Sequence, residues 1–166
     1  MSSVRGLCRT VELPDAAATE ALGKRLAGAL PGDTAGWMIL LKGELGAGKS
    51  TLARALLRSL GFGGTVPSPT YTLVEPYEIG ERLIYHIDLY RISDEGELPY
   101  LGWTDLRQGL MLVEWPERVP ALFAQADLQI ELEFAGNGRR AELLALTERA
   151  AAMPLFEQHP PGPVNS

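Results

Sequence analysis

Eight residues, Gly43-Glu44-Leu45-Gly46-Ala47-Gly48-Lys49-Ser50, carry the chemistry most easily read from this chain, since they fit the spacing G-x-x-x-x-G-K-[ST] at every fixed position. The glycines allow a backbone path in which successive N–H groups converge on phosphate oxygens. Lys49 adds a point charge for the β- and γ-phosphates, and the Ser50 hydroxyl is placed to ligate magnesium. The segment therefore predicts a nucleoside triphosphate site. Hydrolysis or transfer also needs carboxylates. Asp88 ends the apolar stretch 83–87, and Glu114 ends the apolar run 110–113. In a parallel sheet the C-terminal strand ends share one edge, which also holds the phosphate loop, so both acids can reach the γ-phosphate region. Either one fits a magnesium ligand or a water-orienting group, and the spacing does not divide the roles. His86 shares a strand face with Asp88 and is read as a contact to phosphate, an aligner of the acid or a structural histidine. Trp115 is expected on the opposite strand face, capping the core. Arg91 reads either as a cis-acting arginine finger or as a surface ion pair.

The elements that must position these groups follow from apolar spacing. Residues 4–13 have strand character, and Leu22, Leu26 and Leu30 mark a helix from about Ala16 to Leu30, closed by Pro31-Gly32. Trp37 to Leu41 reads as a buried strand, and Leu52, Leu56, Leu57 and Leu60 give a helix from Ser50 that stops at Gly61. Strand, loop and helix thus come in the required order. The glycine- and proline-rich stretch 61–70 suits a nucleotide-sensing loop. Residues 71–77 and 81–87 predict two strands around a turn at Ile79-Gly80, and 93–109 a helical or turn-rich segment limited by Pro99. Leu110 to Val113 predicts a strand covered on both faces. The alternation Leu128 to Phe134 suggests an edge or half-exposed strand, and Arg139 to Thr147 fits a strand or a terminal helix. The fold class is α/β, a single three-layer P-loop NTPase domain over 1–152 with a mostly parallel central sheet. Residues 153–166, with four prolines and no apolar period, are expected to form a disordered tail.

The charge of −6 argues against a stand-alone nucleic-acid binder. One cysteine, Cys8, precludes an internal disulfide, and with only two histidines there is no cysteine/histidine zinc set. No apolar run reaches the length of a membrane span and the opening residues lack a signal-peptide core, so a cytoplasmic protein with no membrane partner is expected.

Several segments in order resemble one family, the TsaE (YjeE-type) P-loop ATPases of tRNA threonylcarbamoyladenosine (t6A) biosynthesis. They are Gly43 to Thr51 (GELGAGKST), Ser68-Pro69-Thr70-Tyr71, His86 to Arg91 (HIDLYR), Glu97-Leu98 with Leu101-Gly102, and Glu114-Trp115-Pro116-Glu117. The resemblance spans roughly Pro14 to Arg139. It implies a magnesium-dependent ATPase subunit, slow when isolated, acting with a threonylcarbamoyl-transferase subunit and its inactive paralogue and meeting tRNA only through that complex. By the same resemblance Gly43, Gly46, Ala47, Gly48, Lys49, Ser50 and Thr51 bind ATP. Ser50 and Glu114 ligate Mg2+, Lys49, Asp88 and Glu114 serve hydrolysis, and Ser68, Pro69 and Thr70 form a switch-like loop. The adenine pocket would involve Pro14-Asp15 and the Gly138-Arg139 turn. Pro99 departs from the pattern by interrupting the Glu-Leu-x-x-Leu-Gly segment.

A small-molecule P-loop kinase is the alternative reading, but such kinases usually close an arginine-rich lid over the phosphate. The arginines here are scattered. A regulatory GTPase would carry Asn-Lys-x-Asp, and neither Asn137 nor Asn165 precedes a lysine. A subunit that binds nucleotide without turnover is disfavoured by Asp88 and Glu114.

Overall fold

In the computed structural model, which describes residues 7–67, 69 and 73–157, helices alternate with strands through the first half of the chain. β1 (Leu7–Leu13) leads into α1 (Ala16–Ala29), whose N-cap Asp15 accepts the Ala18 N–H at 2.8 Å, a cap worth about 1 kcal/mol. β2 (Met38–Gly43) runs into the phosphate loop, and α2 (Lys49–Ser59) begins directly at the loop lysine. β3 (Val74–Ile79) and β4 (Arg82–Asp88) form the expected hairpin, followed by 3-10 turns, the short α3 (Trp103–Leu106) and β5 (Leu110–Glu114). β6 (Leu128–Ala135), β7 (Gly138–Ala145) and α4 (Glu148–Ala151) complete the order.

The seven strands form one sheet in the order β1-β7-β6-β2-β5-β4-β3. β6, β2, β5 and β4 are mutually parallel, β7 and β3 run against them, and β1, antiparallel to β7, points with the majority. On one face α1 and α2 bury Leu22, Leu26, Leu52, Leu56 and Leu57 against Ile39, Leu41, Ile84, Leu110, Leu112 and Ile130. On the other, 3-10 turns and α3 bring Leu98, Trp103, Leu106, Val119 and Leu122 onto Met38, Leu40, Ile87, Met111 and Val113. This is the three-layer arrangement expected. Gly23 lets the two helices touch, since a Cβ there would lie 2.6 Å from the Ala55 Cβ.

Two open readings are settled and one expectation needs correction. β6 is half-exposed, as its alternation implies, but it lies inside the sheet between β2 and β7 rather than at an edge. Its charged residues occupy the face that the 3-10 layer leaves uncovered, which local alternation cannot distinguish from an edge. Residues 138–145 resolve the strand-or-helix ambiguity as strand, paired on both sides. Residues 153–157 are not tail: Met153 and Leu155 are 3% and 4% exposed within the helix-side core, and the Leu155 carbonyl accepts from Arg9 Nη1 at 2.8 Å. Pro154 opens a 3-10 turn, a position where its missing N–H costs nothing, so proline content there does not signal disorder. Residues 158–166 lie outside the described residues. No described helix is long and apolar enough to cross a membrane.

Candidate functional site at the phosphate loop

β2, β4 and β5 are parallel neighbours, so their C-terminal ends reach one edge together, and Asp88 stands opposite Glu114 in register. The loop leaves β2 at Gly43, where φ is +150° and a Cβ would lie 2.7 Å from the Leu132 carbonyl oxygen, so only glycine fits the turn. Gly48 caps α2 in the left-handed region with no side-chain bond. The first amides of α2 thus have no competing cap and, with the helix dipole, favour an anion at this point. Ala47 is buried beneath the loop, whereas Leu45 at its crest is 85% exposed.

A cavity of about 200 Å³ is lined by Gly46, Gly48, Lys49, Ser50 and Thr51 on one side and Asp88, Glu114 and Trp115 on the other. A second, also about 200 Å³, shares Gly46, Gly48 and Thr51 and is walled by Asp15, Ala16, Thr19, Asn137, Gly138 and Arg139. The first unites the loop with both predicted carboxylates. The second unites Asp15 with the Gly138-Arg139 turn, segments more than a hundred positions apart in sequence. Arg139 Nη2 also donates to the Gly46 carbonyl at 3.2 Å, tying that turn to the loop.

Lys49 is 6% exposed; its ammonium donates to the Gly43 carbonyl and lies 3.7 Å above the centre of the Trp115 ring. Burial pulls Lys49 below the ordinary lysine value, while the charges of Glu114, Glu117 and Asp88 hold it up. Burial lifts the Asp88 carboxyl above the usual carboxylate range. The Tyr90 N–H, donated to Oδ1 at 2.8 Å, opposes the rise, Glu114 adds to it, and Lys49 and His86 counter it. Glu114 Oε2 lies 2.5 Å from His86 Nε2, both side chains being buried. Ser50, Asp88 and Glu114 together offer oxygen donors only, the set a hard divalent cation such as magnesium prefers, and each carboxylate keeps one oxygen outside these bonds.

Trp115 packs against the core of the opposite face, as expected, but not as a continuation of the strand. β5 stops at Glu114, and Trp115 adopts φ 57° and ψ 48°, a left-handed conformation costly for a non-glycine residue. That turn lays the ring over Lys49 and against Tyr90, ring centres 5.0 Å apart. No sequence signal marks it. Arg91 is exposed and is not among the residues lining either cavity. Ser68 and Thr70 lie outside the described residues; the Pro69 carbonyl accepts from Leu73 N–H, and the Leu73 carbonyl accepts from Asp88 N–H at 2.9 Å, so this connection leads into the backbone of the acid.

Comparison with known proteins identifies relatives over most of the chain. The family model described as "Threonylcarbamoyl adenosine biosynthesis protein TsaE" matches residues 13–141. A protein of Haemophilus influenzae named tRNA threonylcarbamoyladenosine biosynthesis protein TsaE is 43% identical over 112 residues, 66% of this chain and 71% of that one. Its namesake in Synechocystis is 45% identical over 118 residues, covering 68% and 73%. The crystal structure of Bacillus subtilis YdiB superposes with a TM-score of 0.69 at 28% identity, covering 86% of this chain and 88% of that one. With the family model spanning 13–141 and relatives at 43–45% identity, the chain belongs to the TsaE family of P-loop nucleotide-binding proteins.

Proposed function

We propose that this protein is a magnesium-dependent ATPase that serves t6A formation in tRNA as a subunit, working in the cytoplasm beside a threonylcarbamoyl-transferase and that enzyme's inactive paralogue. It meets tRNA through the complex rather than directly, in keeping with its net charge of −6. The observation that carries the reading is one cavity shared by the phosphate loop, Asp88 and Glu114. The loop amides and Lys49 hold the β- and γ-phosphates, Ser50 and Glu114 hold magnesium, and Asp88 serves the hydrolytic step. Magnesium supplies charge neutralisation on the phosphate oxygens. Adenine and ribose take the adjoining cavity beside Asp15, Asn137 and Arg139. The Ser68 to Thr70 segment acts as the switch, its exit joined to the Asp88 backbone through Leu73.

Two substitutions test the reading. Lys49→Ala removes the loop's ammonium and should abolish nucleotide binding by calorimetry. Glu114→Ala should keep nucleotide bound and lower the rate of phosphate release by about 100-fold or more. Wild-type binding by the first, or wild-type turnover by the second, removes the corresponding role. Pull-down from the native cytoplasm with ATP should recover the transferase, and its failure would count against the complex.

A further inference from the structure

β4 and β5 present Ile84, His86, Asp88 and Leu110, Leu112, Glu114 to the same face, the one covered by α2. His86 pairs in register with Leu112, which makes Glu114 its diagonal neighbour, within reach of a long side chain. The imidazole is 1% exposed, and its Nε2 meets Glu114 Oε2 at 2.5 Å. Its Nδ1 is buried with no hydrogen-bond partner among the described residues. A buried ring that satisfies one nitrogen and leaves the other unsatisfied is a poor choice for stability, because its surroundings on this face, Ile84, Leu110 and Leu112, are aliphatic. What the histidine does provide is a hydrogen bond to one oxygen of Glu114.

We propose that His86 is a positioning residue: its Nε2–H holds Glu114 Oε2, leaving Oε1 for a magnesium ion at the phosphate loop, and so sets how tightly that ion is held with nucleotide. The inference rests on the nucleotide-hydrolase reading above. Partners that orient a metal-ligating carboxylate are worth about 10- to 100-fold in metal affinity. His86 does not touch the nucleotide in this scheme, so affinity for nucleotide without metal stays as in the wild type.

The test measures binding of a fluorescent ADP analogue to the full chain, first in chelator and then across a magnesium titration. His86→Leu removes the donor and keeps an apolar filling. His86→Asn keeps an amide that is too short to reach Glu114, and His86→Gln puts an amide nitrogen near the place of Nε2. The magnesium midpoint should rise about 10- to 100-fold in His86→Leu and His86→Asn and stay near wild type in His86→Gln, with the affinity in chelator unchanged in all three. If His86→Leu fails to fold, the Asn and Gln pair still separates reach from mere polarity. A wild-type midpoint in His86→Asn, an equal rise in His86→Gln, or a fall in affinity already present in chelator overturns the proposal. Lys49→Ala measured alongside keeps the two readings apart: if it binds the analogue like the wild type, the nucleotide site itself is misassigned, whatever the histidine variants do.

Discussion

Trp115→Leu should tighten nucleotide binding, by an amount set by what Lys49 gives up when it turns to a phosphate. In this structure the ammonium has two partners, the Gly43 carbonyl and the Trp115 ring face at 3.7 Å. A bound phosphate competes with both. A cation over an aromatic face is worth about 0.5–1 kcal/mol in water and about 2 kcal/mol when desolvated, and Lys49, 6% exposed, belongs near the upper end. Leucine fills part of the same space without a ring face to hold the charge. If the whole contact is lost, affinity should rise about 30-fold; if half of it is recovered through other contacts, about fivefold. Calorimetry with ADP and magnesium measures the change, with thermal melting to show that the variant is folded. Tyr90→Leu is the control, because it removes the ring packed at a tilt against Trp115 while leaving Lys49 its partners and Asp88 its backbone bond. That control should bind as the wild type does. Unchanged or weaker binding by folded Trp115→Leu would refute the idea that the ring restrains the lysine, and tighter binding by Tyr90→Leu would point to general loosening instead.

Tyr77→Phe should stabilise the protein by about 1 to 3 kcal/mol in urea unfolding, because the buried hydroxyl has no hydrogen-bond partner among the described residues, and any loss of stability would contradict this. Burial, with the charge of Glu75, raises the Tyr77 phenol above its ordinary value of 10.0. The unfolded chain therefore releases this proton first. The tyrosine's contribution is complete below pH 10.0 and declines as pH rises through the folded value, so Tyr77→Phe should show the shallower alkaline decline. Asp127→Ala should cost about 3 kcal/mol, since buried Asp127 accepts from the Met38 amide, the Thr147 hydroxyl and two Arg149 nitrogens. Denaturant titration giving a loss below about 1 kcal/mol would show that these bonds are easily replaced by water.

The central strand, loop and helix were legible because Gly43, Gly48, Lys49 and Ser50 have few alternative uses at that spacing, and because the Leu pattern of α2 is unbroken. Asp88 and Glu114 were legible as acids that end apolar runs, a placement that parallel pairing converts into proximity. The interior place of β6 was not, since the absence of a covering layer over Glu131 and Glu133 is a property of the whole fold. Met153 and Leu155 were hidden by the prolines that follow them, as two apolar residues have no period. The Trp115 conformation and the bond between His86 and Glu114 arise only when neighbouring strands are laid side by side. Local sequence names the chemical groups here, while register decides which of them touch.

The cavity beside Asp15 is bounded by three separate parts of the chain: the start of α1, the phosphate loop, and the tip of the β6–β7 hairpin at Asn137 to Arg139. A molecule seated there works as a strut between the parallel strands and the antiparallel margin of the sheet. Peeling that margin away would have to expel the occupant first. Amide exchange in β1 and β7, the outermost strands on that side, should therefore slow when the cavity is filled, and the sheet's far border becomes a gauge of whether the centre is in use.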